Sequence, residues 1–155
     1  MKGVTALREI TVNDSSEKEV VFERKANYYE TDQMGIVHHS NYIRWFEEAR
    51  LYYMENAGIP YEDMEEAGIF IPVLSVSCEY KVTVKYAQTV CIYVSLESFN
   101  GIRMKCRYKV VDKETGTLCS VGTSEHCFLT KNYKPLSLKK SYPEFYGKLL
   151  QAVKN

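Results

Sequence analysis

Residues 40–57 read SNYIRWFEEARLYYMENA, and the fold turns on how this stretch is read. Tyr42, Trp45, Phe46, Ala49 and Tyr53 fall at i, i+3, i+4, i+7 and i+11, one face of a 3.6-residue period. Arg44, Glu47, Glu48, Arg50 and Glu55 lie mostly off that face. The spacing predicts an amphipathic helix from Ser40 to Ala57, about five turns long. Gly58 ends it in the left-handed position that commonly follows a helix, and Pro60 comes soon after. A helix with so broad an apolar stripe needs a surface to cover.

The rest of the chain supplies one. From Leu74 to Tyr86 the even positions are Leu, Val, Cys, Tyr, Val, Val and Tyr, and the odd ones polar, which predicts a long strand with one buried face. Thr89 to Ser98 repeats the alternation. Asn100-Gly101 is a strong hairpin signal. Ile102 to Val110 then alternates Met104, Cys106 and Tyr108 with Arg103, Lys105, Arg107 and Lys109. Asp112 to Thr117 reads as a turn and Leu118 to Leu129 as a last strand. Upstream, strands are expected at Val4 to Val12 and Val20 to Tyr29, around a polar turn at residues 13–18. Tyr61 to Ala67 reads as a short helix closed by Gly68. Ser141 and Glu144 fit a capping box for a C-terminal helix from Tyr142 to Lys154. The expected class is α+β: a curved antiparallel sheet of five or more strands wrapped around one long helix.

The 155 residues fit one domain, with residues 1–19 as an N-terminal and 136–155 as a C-terminal extension. Lys+Arg and Asp+Glu are 20 each, so no net positive charge asks for nucleic acid or an anionic membrane. No apolar run suits a signal peptide or approaches the ~18 residues of a membrane span. Cys78, Cys91, Cys106, Cys119 and Cys127 are odd in number and lack C-x-x-C spacing, so they read as free thiols in a reducing, cytoplasmic setting.

The chemistry-bearing segment runs from Tyr28 through Glu30, Asp32, Gly35, Val37, His38, His39 and Asn41 to Tyr42, with Phe46 and Glu47 on the helix beyond. It resembles the hot-dog-fold acyl-CoA thioesterases, most closely the 4-hydroxybenzoyl-CoA thioesterase family and its YbgC-like branch. Tyr28, Asp32, Gly35, Val37, His39, Asn41, Tyr42, Phe46 and Glu47 stand at the family's pattern positions without a gap, and the resemblance covers about residues 20–135. Glu30 departs from it, standing where many members carry a second Asp. The resemblance implies a hot-dog domain that hydrolyses acyl-CoA, or acyl carrier protein, thioesters. It implies Asp32 as nucleophile or general base, assisted by Tyr28 and His39, with substrate contacts at Gly35, Val37 and Asn41. It also implies no cofactor and a homodimer or homotetramer joined at sheet edges, with active sites at the interface.

The residues themselves allow that chemistry. Asp32 lies just before the helix, whose first turn carries unpaired N–H groups and partial positive charge. A thioester oxygen near His39 would accept an N–H bond that strengthens as it becomes an oxyanion. Each assignment has a plainer alternative. Asp32 can be a simple cap, and Tyr28, on the strand parity of Asp32, can be core packing. Glu47 or Glu48 can be the base, as in another hot-dog branch, or solvated glutamates. Arg103 and Arg107, with Lys105 and Lys109, can bind coenzyme A phosphates or form a solvent face. His38 and His39, being adjacent, should diverge, and with no carboxylate at ligand spacing no metal site is expected. A non-catalytic acyl-CoA-binding module and a hydratase on the same fold are the readings from other classes.

Overall fold

The structure, a computed structural model, describes residues 9–11 and 18–153. The expected elements at residues 4–8 and 12–17, and Lys154, lie outside them. The chain order is β1 (Glu9–Thr11), β2 (Lys18–Lys25), α1 (His39–Asn56), α2 (Tyr61–Glu66), β3 (Ile69–Phe70), β4 (Val73–Tyr80), β5 (Thr89–Phe99), β6 (Arg103–Asp112), β7 (Leu118–Cys127), β8 (Leu129–Thr130), α3 (Leu138–Ser141) and α4 (Pro143–Val153). Six strands form one antiparallel sheet in the order β1-β2-β5-β6-β7-β4, and β3 pairs with β8 beside it.

Helix α1 forms within a residue of the predicted bounds because its apolar stripe is the core. Trp45, Phe46, Ala49 and Tyr53 are buried against Ile92, Val94, Tyr108 and Val110 of the sheet. Each large side chain so buried contributes roughly 1.5–3 kcal/mol. The Phe46 and Tyr108 rings stack 4.4 Å apart at 6°. Gly122 sits beneath them, and a Cβ there would stand 2.4 Å from both the Phe46 ring and the Ser77 carbonyl, so the approach of helix to sheet requires glycine. At the far end Gly58 adopts φ +78°, its N–H bonding Glu55 O while the Ile59 N–H bonds Met54 O at 2.9 Å. That is the paired Schellman closure.

Four expectations change. β2 stops at Lys25, and Tyr28–Glu30 forms a 3-10 turn, so Tyr28 and Asp32 share no strand parity. β4 stops at Tyr80, and the apolar face read as buried is largely open. Leu74, Val76 and Val82 are 45%, 40% and 45% exposed, while Val84 alone of that series is fully covered. The reason is position: β4 is an outer strand with no neighbour beyond it among the described residues, and α1 seats chiefly on the central strands β5 and β6. Beyond Leu118, the last strand breaks after Cys127 into β8. The C-terminal helix starts at Pro143, which suits a first helical position, and Ser141 belongs to α3 instead of capping α4.

Candidate active site

The loop ahead of α1 is a tight hairpin. Thr31 bridges Val37, the Asp32 N–H donates to Ile36 O at 2.8 Å, and the Gly35 N–H donates to Asp32 O at 2.9 Å. Gly35 has φ +80°, a conformation side-chain-bearing residues resist. Asp32 Oδ1 accepts the Met34 N–H at 2.8 Å, the local bond by which Asp favours turns. Asp32 thus stands at the hairpin's base, one carboxylate oxygen fixed by that bond.

Glu30 holds this hairpin to the rest of the fold. Its buried carboxylate accepts from both terminal nitrogens of Arg24 at 3.0 and 2.9 Å, from the Asn27 N–H at 2.8 Å and from Trp45 Nε1 at 2.8 Å. Its carbonyl accepts the His38 N–H and the Asn41 side-chain amide, each at 2.8 Å. Strand, turn and helix therefore meet on one residue. Arg24 also reaches Glu48, which accounts for that glutamate.

His38 caps the helix. Its Nδ1 accepts the Ser40 N–H at 3.2 Å and lies 2.8 Å from Ser40 Oγ, and as an acceptor it leaves the ring proton of the neutral imidazole on Nε2. The Asn41 N–H turns back to His38 O. That leaves the His39 N–H, which has no protein acceptor among the described residues. The His38 and His39 rings do not diverge as expected; they stack 4.1 Å apart.

A cavity of about 260 Å³ opens at this point, lined by Asp32, Val37, His39, Tyr42, Tyr80 and Lys81 among others. Tyr80 Oη donates to His39 O at 3.0 Å, and its ring meets that of Tyr42 edge-on at 5.1 Å. Desolvation pushes both phenols up to about 12, so they remain neutral donors at physiological pH.

Of the residues singled out in the sequence, Asp32, Val37 and His39 come together here, and Gly35 shapes their loop. Asn41 is buried and serves the Glu30 carbonyl instead of the cavity. Tyr28 is 75% exposed, packs against Tyr86 and lies outside the lining. Arg103 and Arg107 are not in it either. They alternate with residues buried under α1 and so face the opposite side of the sheet, where Lys105 and Arg107 pair with Glu97 and Lys109 with Glu19. Glu47 borders a different cavity. Lys81 and Tyr80 escaped the sequence reading because strand parity describes faces, and they join the site at the strand's end. His38 escaped it because histidine is not among the usual caps.

A family model described as "Thioesterase-like superfamily" matches residues 27–145. YneP of Bacillus subtilis (strain 168), provisionally named as an acyl-CoA thioesterase, is 33% identical over 133 residues, which are 85% of this chain and 96% of YneP. A protein of Aquifex aeolicus (strain VF5), provisionally named as an esterase, is 36% identical over 80% of this chain and 94% of its own. The crystal structure of a DHNA-CoA thioesterase from Staphylococcus aureus superposes with a TM-score of 0.82 at 32% identity, covering 86% of this chain and 89% of that one. The chain has the hot-dog fold and belongs to the thioesterase-like superfamily.

Proposed function

We propose that this protein hydrolyses acyl-CoA thioesters, with Asp32 as nucleophile or general base and the His39 backbone N–H as oxyanion donor. The observation that carries the reading is that an aspartate and an unpaired helix-terminal N–H border one cavity. The thioester carbonyl takes the N–H bond, which strengthens as negative charge gathers on the oxygen. In the nucleophilic route Asp32 adds to the carbonyl carbon, the C–S bond breaks and coenzyme A leaves as thiolate. Water then cleaves the mixed anhydride, returning the carboxylate and releasing the acid. In the base route Asp32 takes a proton from water as the water oxygen adds to the carbonyl carbon; the C–S bond then breaks and Asp32 returns that proton to the departing thiolate, which leaves as the thiol. Tyr80 steadies the helix start through the His39 carbonyl, and the His39 imidazole is auxiliary. Asn41 acts by positioning the loop, and Tyr28, Arg103 and Arg107 lie outside this cavity in the single chain. The relatives' names support the acyl-CoA class.

We further propose that two copies join along β4. An outer strand with exposed Leu74, Val76 and Tyr80 is an unfinished edge, and a second sheet would complete it. The test of function is release of free thiol from a panel of acyl-CoAs of differing length and aromaticity. Turnover of at least one, abolished in Asp32→Asn, is expected. Silence across the panel, or full activity in that variant, refutes the reading.

A further inference from the structure

A second cavity of about 320 Å³ lies between the middle of α1 and the start of β4. Leu51, Met54, Ile71 and Met104 give it apolar walls, and Glu47 and Arg50 are its charged groups. At 1.5 Å per residue, Arg50 stands about 16 Å along the helix axis from His39.

Arg50 is half-buried, and no carboxylate pairs with it among the described residues, Glu47 included. Its Nη1 donates to Tyr108 Oη at 3.2 Å. A guanidinium only donates, so the tyrosine accepts there, and its hydroxyl shares a second hydrogen bond with Ser124 Oγ, 2.6 Å away. Ser124 Oγ in turn shares a hydrogen bond with His126 Nε2 at 2.8 Å. The imidazole of His126 is fully buried at the end of this series. His126 is cross-strand partner to Val73 and Met104, both of which line the cavity. The guanidinium of Arg50 thus stands in the lining of a largely apolar cavity with one tyrosine as its side-chain partner and no carboxylate paired to it among the described residues.

We propose that this cavity binds an amphipathic carboxylate, its apolar body against Leu51, Met54 and Met104 and its carboxylate forked by Arg50. The planar guanidinium matches a carboxylate bidentately, and the pair strengthens where water is excluded. The positive charge of Arg50 disfavours amines and cations beside it. Glu47 repels a second negative charge, so the ligand carries one anionic end. Two sources share this chemistry: a free carboxylic acid, and an acyl group whose far end is a carboxylate. Only the second rests on the thioesterase reading.

Calorimetric titration of the full chain with octanoate and with octan-1-ol tests the site without requiring turnover. Octanoate should bind the wild type at least tenfold more tightly than the alcohol. Arg50→Gln should remove that preference, and Asp32→Asn should leave it unchanged. Glu47→Gln, at an exposed position that cannot threaten the fold, should tighten octanoate several-fold and decides the matter if Arg50→Gln does not fold. The proposal fails if octanoate does not bind at millimolar concentration, if the alcohol binds equally well, or if octanoate affinity survives Arg50→Gln, falls in Asp32→Asn or fails to rise in Glu47→Gln. Comparing suberyl-CoA with octanoyl-CoA separates the sources. A lower KM for suberyl-CoA that vanishes in Arg50→Gln assigns the cavity to the acyl end. Equal KM values beside Arg50-dependent octanoate binding assign it to the free acid.

Discussion

Trp45 Nε1 donates to Glu30 Oε2 across 2.8 Å, joining the middle of α1 to the turn that precedes Asp32. Glu30 is buried yet fully answered, by a guanidinium, a backbone N–H and an indole. Its energetic weight lies in what removal would strand. Arg24 would keep Glu48, but the indole and the Asn27 N–H would lose their acceptor.

Glu30→Ala should therefore lower unfolding free energy by about 3–5 kcal/mol, the cost of breaking a buried pair from one side. Trp45→Phe, which removes only the donor and leaves the charge pair, should cost less. Urea denaturation of both checks the order.

Asp32→Asn should keep the fold, because an asparagine oxygen accepts the Met34 N–H as well as the carboxylate does. Thiol-release turnover should fall by about 10²–10⁴ if Asp32 acts as general base, and further if it is the nucleophile. Steady-state kinetics beside matched melting curves distinguish chemistry from damage.

His39 occupies the first helical position, where proline is at home. His39→Pro deletes the N–H and should reduce kcat by about 10²–10³, whereas His39→Ala, which keeps it, should lose less. Equal rates in wild type and a folded His39→Pro protein would move the oxyanion donor elsewhere.

His126 is pushed down to about 4 by burial first and the nearby Arg50 charge second. Between its unfolded value of about 6.5 and 4 the unfolded chain binds a proton that the native state refuses. Stability from this residue is thus complete above pH 6.5, drains as pH falls and levels out below 4, for a total of about 2–4 kcal/mol. Urea midpoints measured from pH 7.5 to 5 should fall in wild type and change less in His126→Gln.

Light scattering at micromolar concentration should show a species of at least twice the chain mass. Val76→Lys, placing a charge on the exposed face of β4, should shift it toward the monomer without lowering the stability of the single domain. A wild-type monomer would leave the edge unexplained.

Much of this architecture is legible in the chain because burial leaves periodic marks. The stripe Tyr42, Trp45, Phe46, Ala49 and Tyr53 fixed α1 to one residue, and Gly58 fixed its end. The same logic misjudged β4, since alternation records which residues avoid water and not which surface covers them. At the site, the meeting of Asp32 and His39 at one cavity was readable because both stand at or just before the start of a helix. Tyr28 was misplaced because a strand was carried through Asn27, where the turn already begins. Glu30, Tyr80 and the Arg50–Tyr108–Ser124–His126 series join residues far apart in the chain, and no local pattern announces such meetings.

The missing side chain at Gly122 works as a spacer gauge for the whole molecule. Phe46 rests on that bare backbone, so the gap sets how deeply α1 seats in the sheet. The helix is a rigid rod, and its first N–H faces the cavity almost two turns from Phe46. A methyl group under the rod would lift it there and tilt its tip. Displacements of about 1 Å at a reacting centre can cost 10²-fold in rate, so on the function proposed above a glycine outside the cavity sets the aim of the His39 N–H.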